Sequence, residues 1–325
     1  MGRHHSRSIP LRATTRTDYL DRIRRVLRFV QEHLDNELTP DECARVAHFS
    51  RYHFHRIFSG LVGESLREHV RRIRLERAAG ELRRTDRSVI EIALAAGYGA
   101  HEPFTRAFRA HFGAPPAELR KQSEPLMFRR ALCGVHYGID DVVSRFVPLQ
   151  EDSNMIEVSI ETQPARRLLA TAYKGDYLRI GQAFDRVCAF AGQRGLLGPD
   201  TASIGIYYDD WDVTPVADLR AHAGITVAES FGPAPEGFEL IDLPTGEYAI
   251  GIHRGPYEKL HESYRWLFGQ WLPSSERDAA NQPCHEIYMN DPAKTAPEDL
   301  VTHICIPLVG ARQELRGIPA EAVEQ

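Results

Sequence analysis

The residues with the most evident chemical capacity are Glu286 and Tyr288, two apart in the stretch HEIYMND (285–291). In an extended segment successive side chains alternate, so Glu286, Tyr288 and Asn290 share one face and His285, Ile287 and Met289 the other. A carboxylate and a phenol are thus aimed together from a segment whose alternation reads as half-buried. Such a pair suits an organic cation, which takes neutralising charge from the carboxylate and attraction from ring faces. The same pair can also act as a general base on a bound molecule. Tyr207, Trp211 and Trp266 (or Trp271) are the candidate aromatic walls, although tryptophans on a helix such as YRWLFGQWL equally suit a core. His253, His261 and His303 lack ligand spacing and the five cysteines contain no C-x-x-C, so neither metal nor cofactor is expected.

A duplicated pattern positions this segment. KGDYLRIGQAFDRV (174–187) aligns with RGPYEKLHESYRWL (254–267), pairing Gly175 with Gly255 and Tyr177 with Tyr257. Each copy follows a strand (LLATAY, EYAIGIH) and precedes two more: SIGIYYDD and ITVAESF in one half, HEIYMND and LVTHICIPL in the other. The expected unit is β-α-β-β, twice. The two units build one antiparallel sheet with helices on one side and a cleft where the halves meet. The alignment sets Tyr288 against Tyr207 and Glu286 against Gly205, so one half carries the carboxylate and the other leaves room for it.

The first part of the chain reads differently. Leu20, Ile23, Leu27, Val30 and Leu34 form one amphipathic stripe. TPDE at Thr39–Glu42 and SVIE at Ser88–Glu91 are capping boxes, and Ser50 stands as the cap of a helix RYHFHRIFSGL. Between them a helix is expected over about 65–82. Phe54-x-Arg56-x-Phe58 with Gly63 recurs as Phe104-x-Arg106-x-Phe108 with Gly113. The phenylalanines belong to the core and the glycines end helices. Two such helical pairs are two helix-turn-helix units. Residues 1–130 hold 25 Lys+Arg against 16 Asp+Glu, a balance of +9. Residues 131–325 hold 15 against 29, a balance of −14, within a chain total of −5. A basic segment joined to an acidic one fits a first domain that meets a polyanion and a second that does not. No apolar run is long enough to span a bilayer and the start lacks a secretory apolar region, so a cytoplasmic protein is expected.

From Asp18 to Lys121 the chain resembles the AraC-type DNA-binding domain, carried by CARVAHFSRYHFHRIFSGLVGES, RIRLERAAGELRRT, VIEIALAAGYGAHEPFTRAFRAHFGAPPAELR and the ending G-x-P-P-x-x-x-R at Gly113–Arg120. The resemblance implies an all-α domain with two recognition helices. It makes Tyr52, His55, Arg56, His101, Glu102 and Arg106 the base-edge candidates, with Arg51 on the same outward face. Arginine can fork onto guanine and glutamate can accept from cytosine N4. Ala100 stands where the family often has a serine cap, and Pro103 follows inside the helix start. Residues 122–154 form a poorly patterned linker.

From Met155 to about residue 309 the chain resembles the GyrI-like effector-binding domain, through both G-x-Y motifs, GIYYDD, LPTGEYAIGIHRGPY, HEIYMNDP and ICIPL. The resemblance implies a drug pocket containing the glutamate of the E-x-Y strand. The order of the two domains is similar to that of Rob-like bacterial regulators. It implies a non-enzymatic transcription regulator whose partners are double-stranded promoter DNA, a small hydrophobic effector and RNA polymerase. The rival is a GyrI-like hydrolase of a reactive small molecule fused to a DNA-binding domain.

Overall fold

The computed structural model describes residues 13–123, 128, 130–138, 146–150, 156–211 and 213–310. It divides into two compact units. The first comprises Met1–Ser153 with Asp210–Val213 and Tyr264–Glu276; the second comprises Asn154–Asp209, Thr214–Ser263 and Arg277–Gln325.

The first unit opens with α1 (Ala13–Glu32), which buries Tyr19, Ile23, Val26, Leu27 and Val30 along one stripe. α2 (Pro40–Ala47) starts at the expected capping box, Thr39 with Glu42. α3 (Phe54–Val62) starts later than the sequence suggested. The Ser50 hydroxyl accepts from Tyr52 N at 3.2 Å, so it closes a turn, and the α-helix begins only after His53. α4 (Leu66–Arg84) has a capping box of its own, Ser65 with Glu68. α5 (Val89–Ala95) starts at the Ser88–Glu91 box, and α6 (His101–Phe112) follows Ala100, which makes no side-chain cap bond. Gly63 (φ 81°) and Gly113 (φ 79°) end α3 and α6 in the left-handed conformation that favours glycine. Phe104 and Phe108 sit fully buried against Leu75, Ala79, Leu82 and Ile92 of α4 and α5, closing the second helix-turn-helix, and the short α7 (Pro116–Leu119) follows.

Residues 131–138, in the stretch expected to be a linker, lie against α4. Ala131, Cys133 and Val135 are buried. The fully buried Glu76 carboxylate accepts from Tyr137 N at 2.8 Å and from Arg72 at 3.0 Å. A backbone so held is part of the unit's core, since a buried carboxylate needs those donors.

The second unit is an eight-stranded antiparallel sheet. Its strands are β1 (Glu157–Gln163), β2 (Arg166–Lys174), β3 (Ser203–Tyr207), β4 (Arg220–Val227), β5 (Glu239–Leu243), β6 (Gly246–Arg254), β7 (Cys284–Tyr288) and β8 (Val301–Pro307), in the order β1-β6-β8-β7-β3-β4-β2-β5. Each half carries the expected β-α-β-β unit with one further strand ahead of it. The leading strands are exchanged, β1 pairing with β6 of the second half and β5 with β2 of the first. α8 (Gly181–Gln193) packs Val187 and Ala191 on Leu169 and Ile225. The opposite face carries Leu168, Ile204, Ile206, Tyr248, Ile250 and Ile287.

His285 lies 3 % exposed on β7, edge-on to Tyr248 at 5.3 Å. Burial, aided by the Arg166 charge, lowers its pKa from the ordinary 6.5 to about 4. The folded state thus keeps His285 neutral where the unfolded chain protonates. Stability attributable to this site is full above pH 6.5 and is lost as pH falls toward about 4, with a slope of up to one proton. His285→Phe is expected to flatten that limb of the stability–pH curve, measured by urea unfolding at several pH values. An unchanged slope would show that His285 is not its source.

Candidate functional site

The two central strands of the sheet, β3 and β7, pair so that Gly205 faces Glu286, Ser203 faces Tyr288 and Tyr207 faces Cys284. The internal repeat relates Gly205 to Glu286 and Tyr207 to Tyr288 by the same offset. The pseudo-twofold axis therefore passes through the Gly205–Glu286 pair. Glu286 is 2 % exposed. It accepts a hydrogen bond from the Tyr288 hydroxyl at 2.8 Å, and Tyr288 is in turn hydrogen-bonded to the Tyr207 hydroxyl. Burial, reinforced by the nearby Glu286 carboxylate, raises the pKa of both phenols well above the usual tyrosine value. They remain neutral donors around an acidic group.

Further rings pack on these two phenols. Tyr177 stands edge-on to Tyr207 at 4.8 Å, and Tyr257 stands edge-on to Tyr288 at 5.5 Å. Phe184 of α8 meets Tyr288 at 5.3 Å. Tyr177 and Tyr257 are the tyrosines of the two G-x-Y motifs. Their glycines, Gly175 (φ 133°) and Gly255 (φ 124°), take a conformation that L side chains rarely adopt. That turn ends β2 and β6 and swings each tyrosine over the sheet. Sequence reasoning used these tyrosines only to align the halves; the repeated G-x-Y was the signal that could have placed them at the site. The Tyr177 hydroxyl is tied to Arg220 O at 2.8 Å, while Tyr257 is half-buried.

A Cβ on Gly205 would lie 2.8 Å from Tyr207 Cε2 and 2.9 Å from its hydroxyl oxygen. Gly205→Ala is therefore expected to displace the Tyr207 ring and break its bond to Tyr288, at a cost of about 1–3 kcal/mol in stability. Thermal unfolding checks this, and an unchanged melting temperature would show that the ring moves freely.

Of the expected effector residues, the structure brings Glu286, Tyr288 and Tyr207 together. Trp211 and Trp266 belong to the other unit. There Trp211 stands edge-on to Tyr264 at 5.3 Å and Trp266 is 6 % exposed.

The expected reading residues divide sharply. On α6, His101, Glu102 and Arg106 are all exposed. Ahead of α3, Arg51 is exposed and donates to the Tyr52 hydroxyl at 2.8 Å. His55 is half-buried, and burial lowers its pKa. Arg56 avoids the Phe54/Phe58 face as expected, yet it is only 5 % exposed.

One group of metal-ligating type occurs among the described residues, Glu64, His69 and Cys133. Arg72 Nε already donates to both Glu64 oxygens, at 3.1 and 3.2 Å, so the carboxylate is neutralised by an ion pair. Among the described residues no helix is long and apolar enough to cross a membrane.

Two family models match the chain: a helix-turn-helix domain over residues 43–122 and a GyrI-like small molecule binding domain over residues 156–309. The regulatory protein SoxS of Salmonella typhimurium is 34 % identical over 98 residues, 30 % of this chain and 92 % of SoxS. The right origin-binding protein of Escherichia coli K12 is 35 % identical over 102 residues, 31 % of this chain. The match spans only 35 % of that relative's length. Among solved structures, the EcmrR C-terminal domain matches 48 % of this chain at 16 % identity with a TM-score of 0.40. A hydrolase from Listeria innocua matches 47 % at 17 % identity with a TM-score of 0.34. Similarities this low carry no functional argument.

Proposed function

Because this chain belongs to the AraC-type transcriptional regulators, with a GyrI-like small-molecule-binding domain after its helix-turn-helix units, we propose that it binds promoter DNA and changes transcription when its second unit takes up a hydrophobic organic cation. The observation that carries the effector half is the buried Glu286 carboxylate, bonded to Tyr288, which is itself in contact with Tyr207 and Tyr257. A buried carboxylate close to aromatic rings favours a cation that can shed its water, since both charge and quadrupole attraction gain strength away from solvent. A neutral Tyr288 phenol donating to Glu286 suits holding a ligand and requires no turnover of it.

The DNA half is supported by exposed Arg106, Glu102 and His101 on α6 and by the +9 balance of residues 1–130. Full-length protein is expected to bind duplex DNA with an affinity that falls steeply with salt. The slope of log affinity against log salt is about −0.9 per phosphate neutralised, because binding releases condensed counterions. Fluorescence anisotropy at several salt concentrations measures it. A flat response, or no binding at low salt, contradicts the reading.

A further inference from the structure

The two recognition helices are copies in sequence but differ in what they present. On α6, Arg106 is exposed. Its counterpart on α3, Arg56, lies within a box of three aromatic rings in the same compact unit. The guanidinium carbon is 4.8 Å from the Tyr264 ring centre, 5.8 Å from Phe268 and 6.0 Å from Trp211. His53, just before α3, stacks on Phe268 at 5.3 Å.

Backbone contact reinforces the box. A Cβ on Gly60 of α3 would lie 2.7 Å from Gly269 Cα, and a Cβ on Gly269 would lie 2.6 Å from Gly60 O. Only glycine at both positions allows this approach. Gly269 sits in a π-helical turn, Leu267–Trp271, a departure from regular helix that commonly marks a functional element. Gln270 adds a bond to Leu149 O at 2.8 Å, while Leu149 N bonds back to Leu61 O of α3 at 2.8 Å. Residues 264–276 therefore hold the side of α3 that carries Arg56. An arginine enclosed by rings cannot fork onto a guanine edge, and a helix face in backbone contact with another helix cannot enter a major groove.

We propose that residues 264–276 are a cover over the first recognition helix, and that DNA competes with this segment for Arg56. In the covered state only α6 reads DNA. Full engagement of a two-groove site requires Tyr264, Phe268 and Gly269 to leave α3. The inference rests on the DNA-binding reading above and adds to it a built-in restraint on the first reading head.

The test uses full-length protein and a duplex selected from a random pool with the wild type. Gly269→Leu forces the segment off α3. It is expected to tighten binding by about tenfold or more, the gain a bidentate arginine supplies, and to extend a hydroxyl-radical footprint from one groove to two. Adding Arg56→Ala should erase both gains. If Gly269→Leu does not fold, the double variant Tyr264→Ala/Phe268→Ala opens the same box and is read in the same way. Wild-type binding with no gain in the opened variant overturns the cover alone. A gain that survives loss of Arg56 overturns it too. Absence of binding by wild type and variants at low salt overturns the DNA reading and the cover with it.

Discussion

Glu286→Gln is expected to lower affinity for a flat aromatic cation by about a hundredfold while leaving affinity for its neutral isostere nearly unchanged. Glutamine keeps the size of the side chain, and its oxygen still accepts from Tyr288, so the hydrogen bond at 2.8 Å and the packing of the rings are retained. Only the charge goes. At a site 2 % exposed, stranding a bound cation beside a neutral amide costs a few kcal/mol, because water cannot replace the lost partner. A solvated rim carboxylate would give a difference of about 1 kcal/mol or less. Calorimetry with the cation and its isostere on both proteins measures the gap. Equal cation affinities would return Glu286 to a structural role.

Arg106→Ala is expected to cost about 1–3 kcal/mol on the selected duplex and distinctly less on random DNA, as befits loss of a fork onto guanine. Arg106 is exposed on α6, whose Phe104 and Phe108 are fully buried. The substitution therefore removes an exposed side chain without touching the core that holds the helix. Equal losses on the two DNAs would assign Arg106 to a phosphate, which positions the protein without reading sequence. Competition binding against both duplexes distinguishes the two cases.

Local signals in the sequence translated well. The capping boxes at Thr39 and Ser88, the αL glycines 63 and 113 and the buried phenylalanine pairs all depend on residues a few positions apart, where periodicity and cap chemistry act directly. The internal repeat went further, because one offset set Gly205 opposite Glu286, the pair that the strands bring together. What escaped was long-range. Exchange of β1 and β5 between the halves leaves each strand's alternation unchanged, so no pattern within a strand reveals its partner. Arg56 faces away from its own helix's core, as its spacing indicates. The rings that enclose it come from residues 211, 264 and 268, which no helical period connects to α3. The segment 131–138 lacks period altogether, since its burial is secured by backbone bonds to Glu76 and Arg72 and not by a repeating apolar face.

A chain that joins a promoter-reading unit to a cation-binding site is expected to couple transcription to the cation. Transcription by purified bacterial RNA polymerase, from a template bearing the selected site, measures that coupling. The measurement compares wild type and Glu286→Gln, each with and without a saturating aromatic cation. The cation is expected to change output with the wild type and to leave it unchanged with Glu286→Gln, while both proteins occupy the site. The same output with and without cation on wild-type protein, or the same response from both proteins, would contradict it.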